Sequence, residues 1–243
     1  MYNSLKNTIA QLIPKKILFR VEPVFRKCFS ILKKGNNYKC VICNFKASDW
    51  VHLPNHDLLC PNCGSLSRDR HLWQLVKENY IKNDIQILDF SPSRALFRKW
   101  KKEKNVKHIA SDLSGDFIAD VTFDITQIPE KENTFDLIIC YHILEHVIED
   151  VKAMKELHRV LKPNGTILIQ TPFKEGDIYE DYNITSESER LLHFGQEDHV
   201  RIYSIEGLKN RLESAGLTVT VNQYEKDTYL GFSDKEVILF ATK

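Results

Sequence analysis

Glycine, proline and long apolar runs are scarce in this sequence of 243 residues, which has 9 Gly and 8 Pro. That scarcity excludes a collagen-like or low-complexity chain. No apolar run approaches the ~18 residues that a membrane-spanning helix needs. Near the N-terminus, Lys15, Lys16, Arg20 and Arg26 interrupt the apolar residues. We therefore expect neither a membrane span nor a cleaved signal peptide.

Charged residues make up 28% of the chain, against 42% apolar residues, as in a soluble globular protein. The charge is unevenly placed. Residues 1–39 carry nine Lys or Arg and one acid, whereas residues 40–243 carry 25 bases and 32 acids, so the net charges are +8 and −7. A basic arm on an acidic body predicts a polyanionic partner near the arm, either a membrane surface or a nucleic acid. The alternative is a solvated helix face.

The arm, residues 4–34, has the pattern of short amphipathic helices, and Pro14 and Pro23 each suit the first turn of a new one. In the last of these helices, apolar residues follow the i, i+3, i+4 rule at Val24, Phe25, Cys28, Phe29 and Leu32. Flanking Lys and Arg make this a candidate interfacial helix, with residues 1–34 contacting an anionic membrane. Packing on the protein's own body or in a dimer is an equal alternative.

Four of the six cysteines form two CxxC pairs sixteen residues apart: Cys40, Cys43, Cys60 and Cys63. Without an export signal, such pairs are typical of metal ligands in a reducing cytoplasm and not of disulfides. Four thiolates close a tetrahedron around zinc and leave no open position, so we predict a structural Zn²⁺. His52 and His56 lie between the pairs and are the alternative ligands.

From residue 85 onward, short apolar runs alternate with amphipathic segments, which predicts an α/β fold. The predicted strands are 85–90, 106–112, 117–124, 135–141, 166–172, 217–224 and 236–242, and the helices are 67–80, 92–104, 146–162 and 204–215. The expected architecture is a Rossmann-like, seven-stranded, mostly parallel sheet whose last two strands form an antiparallel edge hairpin. The short link between those strands excludes a helical crossover.

Three carboxylates follow successive predicted strands: Asp89, Asp112 and Asp124. In a doubly wound sheet, ligands bind beyond the carboxyl ends of the strands. At this edge Asp112 is placed to accept hydrogen bonds from a ribose diol, and Asp124 from an adenine amino group.

The run DITQIPEKENTFDLIICYHILEHV, followed by KELHRVLKPNGTILIQTP, is very similar to class I S-adenosylmethionine-dependent methyltransferases of the type-11 group. The resemblance covers about residues 85–172. It implies that S-adenosylmethionine is the cofactor. The cofactor-binding residues that it implies are Asp89, Phe90, Ser91, Pro92, Asp112, Leu113, Asp124, Ile125, Cys140, Tyr141 and His142. The family's first loop usually carries glycines, whereas DFSPSR stands here.

Two further segments, CPNCGSLSRDR (60–70) and FGQEDHVRIYS (194–204), resemble a subgroup of these methyltransferases associated with surface-glycan synthesis. The long segment 173–203 is predicted to be a lid over the acceptor. Its aromatic and ionisable residues suit a sugar, with Tyr179, Arg201 and Tyr203 as the substrate-binding candidates. A surface loop of mutually paired charges is the alternative.

His142-Ile-Leu-Glu145-His146 fits the H-x-x-E-H pattern of inverted zincins, with both His on one face of a helix. The segment follows a buried strand, and no third ligand is evident, so catalytic zinc is disfavoured. As a methyltransferase element, His142 is a candidate general base. His199, with Asp198 as its orienting partner, is the other candidate.

The sequence thus predicts a basic helical arm (1–36), a four-cysteine zinc module (37–70) and a methyltransferase domain (71–243). The first hypothesis is methyl transfer to a sugar or lipid-linked glycan intermediate, in the cytoplasm or at the inner membrane face. The first alternative is an RNA methyltransferase, although the body is acidic. The strip Arg98, Lys99, Lys101, Lys102, Lys104 and Lys107 supports that alternative. The second alternative is a non-catalytic interaction module, because the glycines of the first loop are missing.

Overall fold

The computed structural model describes residues 15–82 and 84–243. The predicted helical segments within residues 4–14 lie outside this description. The described chain divides into two compact units. The first holds the residues up to Asn79, with 93–99 and 225–234, and the second holds 80–92, 100–224 and 235–243. The predicted boundaries at residues 36 and 70 stay a prediction.

Within the described residues, the helices are α1 (Lys15–Ile31), α2 (Ser67–Asn79), α3 (Arg94–Trp100), α4 (Asp150–Val160), α5 (Glu187–Phe194) and α6 (Ile205–Ser214), with a 3₁₀ helix at Leu144–His146. The strands are β1 (Lys34–Lys39), β2 (Lys46–Ala47), β3 (Val51–His52), β4 (Leu58–Leu59), β5 (Ile85–Phe90), β6 (Val106–Ser111), β7 (Phe135–Tyr141), β8 (Leu161–Gln170), β9 (Tyr179–Glu180), β10 (Arg201–Ile202), β11 (Thr218–Tyr224) and β12 (Glu236–Thr242). None of these helices is both long and apolar enough to cross a bilayer.

Pro23 lies inside α1, so the prediction that it begins a new helix is wrong. A proline within a helix has no N–H for the carbonyl four residues earlier. In this helix that carbonyl belongs to Phe19, and the Arg98 guanidinium donates to it at 2.6 Å. Arg98 also pairs with Glu22 at 3.0 Å and lies 4.1 Å from the Phe19 ring centroid. A long-range donor thus replaces the missing backbone bond.

A buried arginine organises the rest of the first unit. Arg70 of α2 is fully buried, and its guanidinium lies over the Trp50 ring at 4.2 Å. It donates to four carbonyl oxygens, those of Leu58, Ser65, Leu230 and Gly231. Because each of these carbonyls comes from irregular or short extended chain, one rigid donor replaces a regular sheet in joining them.

The second unit is built on one sheet in the order β11-β12-β8-β7-β5-β6. The four strands β8, β7, β5 and β6 run parallel, while β12 pairs antiparallel with β8 and with β11. This confirms the Rossmann-like, mostly parallel sheet with an antiparallel edge hairpin. The sheet has six strands and not seven, because the predicted strand 117–124 contributes only an isolated parallel bridge between Val121 and Ser111.

Apolar residues of the central strands and of α4 and α6 form the core of this unit. Ile138 of β7, Met154 of α4 and Leu208 of α6 are all fully buried in it. The predicted helix 146–162 is shorter than expected: the chain forms the 3₁₀ helix first, and α4 begins at Asp150. His142 and His146 therefore do not share a helical face, although both follow the end of β7.

Candidate functional site

The four predicted metal ligands converge in the first unit. The Sγ atoms of Cys40 and Cys63 are 3.6 Å apart, those of Cys43 and Cys60 are 3.8 Å apart, and all four lie within 4.8 Å of one another. A tetrahedron of ~2.3 Å zinc–sulfur bonds separates its sulfur atoms by about 3.8 Å. The donor set therefore fits a zinc ion in size and chemistry.

The two CxxC pairs sit in equivalent turns. The N–H of Cys40 donates to the Phe45 carbonyl, and the N–H of Asn44 returns to the Cys40 carbonyl. In the second turn, Cys60, Gly64 and Ser65 repeat both bonds at the same spacing. Asn44 (φ 59°) and Gly64 (φ 76°) supply the left-handed residue that closes each turn. Each turn thus presents two sulfurs to the same point.

At the carboxyl edge of the sheet, the structure joins Ser91 and Asp112. Ser91 follows β5 with φ 48° and supplies the left-handed conformation that the missing glycines would have given. Its hydroxyl donates to Asp112 at 2.8 Å. The Asp112 carboxylate, 5% exposed, also accepts from the Ser114 hydroxyl and from the Gly115 N–H. Two serine hydroxyls thus bind the carboxylate as the two hydroxyls of a ribose would.

Asp89 has an internal partner set. Its Oδ2 atom is 3.1 Å from both Trp100 Nε1 and His108 Nε2, and the rings of Trp100 and His108 stack at 4.9 Å. Burial raises the pKa of the Asp89 carboxyl, and the hydrogen bond from His108 opposes that shift. The Asp89 carboxylate thus connects the end of β5 to the side chains of Trp100 and His108.

The remaining predicted cofactor residues are divided between core and surface. Phe90, Pro92, Ile125 and Cys140 are buried, whereas Leu113 (62% exposed) and Asp124 face solvent. The Asp124 carboxylate accepts from the N–H and the hydroxyl of Thr126, and these bonds lower its pKa. The Tyr141 hydroxyl is buried, and burial raises its pKa well above its ordinary value.

His142 has an acidic partner that the sequence analysis did not assign. It stands directly after β7 in the left-handed region, with φ 54°, and its Nδ1 atom is 3.2 Å from Glu145 Oε1. Glu145 is only 1% exposed. Burial raises the pKa of Glu145, but the His142 hydrogen bond and charge outweigh it, and the pKa is lowered. An ionised Glu145 orients the His142 ring and leaves Nε2 available.

His199 and Asp198 approach the same turn, where both contact His146. Asp198 Oδ2 is 3.1 Å from His146 Nδ1, and the His146 and His199 rings meet edge to face at 4.7 Å. The pKa of His199 is lowered, first by burial and then by the charge of His146. The predicted pairing of Asp198 with His199 is thus replaced by a pairing of Asp198 with His146.

Arg201 and Tyr203, two of the three predicted substrate-binding residues, are fully buried. The Arg201 guanidinium donates to the carbonyl oxygens of Leu144, Val147 and Ile148, and so fixes the turn after β7. The Tyr203 hydroxyl donates to Asp150 at 2.6 Å. Both residues thus hold the chain that follows β7 in place and are not exposed to a substrate.

Tyr179, the third candidate, lies in the predicted lid, where its hydroxyl is 2.7 Å from Nδ1 of the exposed His193.

Two groups of predicted residues come together at the sheet edge. Ser91 contacts Asp112, and His142 precedes the turn of His146, which Asp198 and His199 contact. Glu145 and His146 were not among the predicted functional residues. Their presence within H-x-x-E-H was the available signal.

Known proteins resemble this chain in sequence and in fold. A family model described as "Methyltransferase domain" matches residues 67–221. An uncharacterized protein of Methanocaldococcus jannaschii is 28% identical over 142 residues, which cover 54% of this chain and 62% of that protein. A tRNA U34 carboxymethyltransferase of Pseudoalteromonas atlantica is 26% identical over 125 residues, which cover 51% of this chain and 34% of the relative. The chain thus spans between about a third and three fifths of these curated relatives.

A solved S-adenosylmethionine-dependent methyltransferase from Archaeoglobus fulgidus superposes with a TM-score of 0.52 at 18% identity, over 74% of this chain and 95% of that one. At that identity the likeness shows the fold. The family match confirms the predicted methyltransferase domain.

Proposed function

The chain belongs to the methyltransferase-domain family, and on that premise we propose that it transfers a methyl group from S-adenosylmethionine to a hydroxyl of a sugar-like acceptor. The observation that carries the proposal is the acid-paired His142 at the end of β7. That strand is paired with β5, whose end carries Ser91 and its bond to Asp112. The methyl donor and the base His142 would thus lie at the ends of neighbouring strands.

The cofactor supplies an activated methyl group on a sulfonium. The chain's own contribution is to hold and orient it. Asp112 would accept from the ribose hydroxyls, which take the places of the Ser91 and Ser114 hydroxyls. Thr171, directly after β8, is 1% exposed, and its hydroxyl has no partner among the described residues. An unsatisfied buried hydroxyl at this edge favours a polar ligand.

The acceptor hydroxyl needs a base, since it is a weak nucleophile at neutral pH. We assign that role to His142, whose side chain is 25% exposed, because His199 is buried and its ring packs against His146. Glu145 holds the His142 ring through Nδ1, so that Nε2 receives the hydroxyl proton. Glu145 acts as a positioning residue.

The segment 173–203 favours a hydroxyl-rich acceptor. A concavity of about 460 Å³ in the second unit is lined by Glu187, Leu191, Gly195, Gln196, Glu197 and Asp198. Three carboxylates in this lining accept hydrogen bonds from hydroxyls and repel the closely spaced phosphates of a nucleic acid. This charge supports a saccharide in preference to RNA.

RNA is the second candidate, because the Pseudoalteromonas relative is a tRNA-modifying protein by its description. The basic strip supports this candidate in part. Arg98 is paired with Glu22, Lys99 lies over the Trp73 ring at 4.5 Å, and Lys101 is 2.7 Å from Asp120. Arg98 and Lys101 are thus paired with acids, whereas Lys102, Lys104 and Lys107 are exposed. Only part of the charge of the strip is therefore neutralised, and the rest can contact phosphates.

Attachment to an anionic membrane through residues 1–34 remains part of the proposal. On α1, Val24 (64%) and Phe25 (68%) are exposed, and Leu32 just beyond it is 81% exposed. Lys27 and Lys34 are also exposed. Apolar side chains beside lysines suit the surface of an anionic bilayer. We further propose that the four cysteines hold a structural Zn²⁺.

The test is a transfer assay with tritiated S-adenosylmethionine on two acceptor panels, nucleotide sugars with lipid-linked saccharides, and bulk tRNA with ribosomal RNA. We expect label in the saccharide panel. In His142→Ala, turnover at saturating S-adenosylmethionine should fall about 10²–10⁴-fold. The control is His158→Ala on α4. Label confined to RNA would overturn the saccharide proposal.

A further inference from the structure

The turn after β7 carries potential metal ligands that have no part in the proposed role of His142 as a base. Glu145 is 1% exposed, and one of its oxygens, Oε1, is occupied by His142. The other oxygen, Oε2, is buried and has no hydrogen-bond partner within the described chain. A buried carboxylate oxygen left unpaired is costly, so a ligand of positive charge is expected beside it.

Two imidazoles complete a ligand set around this carboxylate. The ligand atoms of Glu145, His146 and His199 all lie within 4.8 Å of one another. The arrangement is held by the backbone, because the N–H of Val200 donates to the Glu145 carbonyl at 2.9 Å. The sequence pattern H-x-x-E-H lacked a third ligand, and the lid residue His199 supplies it.

The surroundings of His146 are also those of a metal ligand. Asp198 Oδ2 lies 3.1 Å from its Nδ1. A carboxylate that accepts the Nδ1 proton fixes the tautomer whose Nε2 carries the free lone pair, as second-shell carboxylates do for metal-bound histidines. Asp198 would therefore orient the His146 ring toward a metal ion.

We propose that Glu145, His146 and His199 bind one divalent transition-metal ion. Two imidazoles and one carboxylate favour Mn²⁺, Fe²⁺, Co²⁺ or Zn²⁺ over Ca²⁺ and Mg²⁺, which prefer all-oxygen sets. Three protein ligands leave coordination positions open for an acceptor oxygen. This site is separate in sequence and chemistry from the four-cysteine cluster.

The role of the ion rests on the proposed function. A hydroxyl bound to a divalent ion is more acidic than a free one, and its proton would pass to Nε2 of His142. The Oε1 atom of Glu145 holds His142, while its Oε2 atom would hold the ion, so one carboxylate would place both partners of the proton transfer.

The binding test needs neither cofactor nor acceptor. Protein that has kept its cysteine-bound zinc through dialysis against EDTA is titrated with MnCl₂, and free Mn²⁺ is followed by electron paramagnetic resonance. We expect one Mn²⁺ per chain. Affinity should fall about tenfold or more in His146→Ala and in Glu145→Gln, which keeps the size of the buried side chain. His158→Ala should bind as the wild type does.

A wild-type protein that binds no Mn²⁺, or variants that bind it as tightly as the wild type, would overturn the proposal. Cofactor titration on the same samples separates this failure from that of the proposed function, because S-adenosylmethionine binding should be equal in wild type and in His146→Ala. Equal cofactor binding also shows that the variant is folded, so that loss of Mn²⁺ in it supports the metal site.

Discussion

The type of a residue gives little information about whether it contacts a substrate or supports the site from within. Arg201 and Tyr203 lie in a segment rich in polar residues, and their types suit sugar binding. Their burial depends on which carbonyls and carboxylates the fold brings near them. No sequence spacing links Arg201 to Ile148, so their hydrogen bond was not predictable.

Pro23 shows the same limit in the backbone. The rule that proline begins helices is local, whereas the donor that rescues the Phe19 carbonyl, Arg98, is 79 residues away in sequence. By contrast, the convergence of the four cysteines was predictable, because each CxxC pair and its turn depend on residues that are close in sequence. Short sequence spacings therefore predicted the cysteine cluster, whereas the contact of Arg98 with Phe19 depends on the tertiary fold.

The cysteine cluster gives a prediction at the residue scale. After dialysis against EDTA, wild-type protein should retain about one zinc per chain by atomic absorption, and Cys60→Ser should retain almost none. Loss of a structural zinc should cost about 3 kcal/mol or more and lower the melting temperature by roughly 6–12 °C. Cys28→Ser removes an exposed cysteine outside the cluster and should match the wild type. Full zinc retention in Cys60→Ser would refute the assignment.

At the scale of elements, the segment 173–203, the predicted lid, is folded and is not a loose loop. It contains β9, α5 and β10, and α5 begins with a capping box between Ser186 and Glu189. Glu180 of β9 accepts from Arg201 of β10 at 2.9 Å within this segment. It also accepts from Arg211 of α6, and this bond connects the segment to the body. These ion pairs hold β9 against β10 and α6.

The network predicts a pH dependence of stability. The Arg211 hydrogen bond, with that of Arg201, holds the pKa of Glu180 below its usual 4.5. A depressed pKa in the folded state stabilises the protein above pH 4.5, and that stabilisation is lost as the pH falls through the folded-state value. The free energy of unfolding of Glu180→Gln should therefore be about 1–3 kcal/mol below that of the wild type at pH 7, and the difference should shrink toward pH 3.

Urea unfolding at a series of pH values measures this difference. Glu187→Gln, an exposed acid of the same lid, is the matched control and should show no pH-dependent change. A deficit in Glu180→Gln that is equal at pH 3 and pH 7 would mean that the ion pairs do not stabilise the lid.

Strand prediction was accurate where burial is continuous. Runs such as FDLIICY and EVILFAT became β7 and β12, because parallel strands and their neighbours are covered on both faces. The segment 117–124 is interrupted by two acids, and its bridge to the sheet pairs Ser111 of β6 with Val121. Its neighbours Asp120 and Asp124 are instead engaged in local hydrogen bonds.

At the scale of the whole molecule, topology explains why much of the site was predictable. Parallel strands place their carboxyl ends at one edge, so Asp112 and His142, which follow β6 and β7, were expected there. What could not be predicted is how each side chain is satisfied. Asp89 is used internally by Trp100 and His108, whereas Asp112 is held by the adjacent loop. Such choices depend on tertiary contacts.

The most direct test of the account is a calorimetric titration of folded, zinc-loaded protein with S-adenosylmethionine. We predict micromolar binding to the wild type, at least about tenfold weaker binding to Asp112→Asn, and unchanged binding to Asp120→Asn. No binding to the folded wild type, or equal binding to Asp112→Asn, would contradict the claim that this sheet edge is a methyl-donor site.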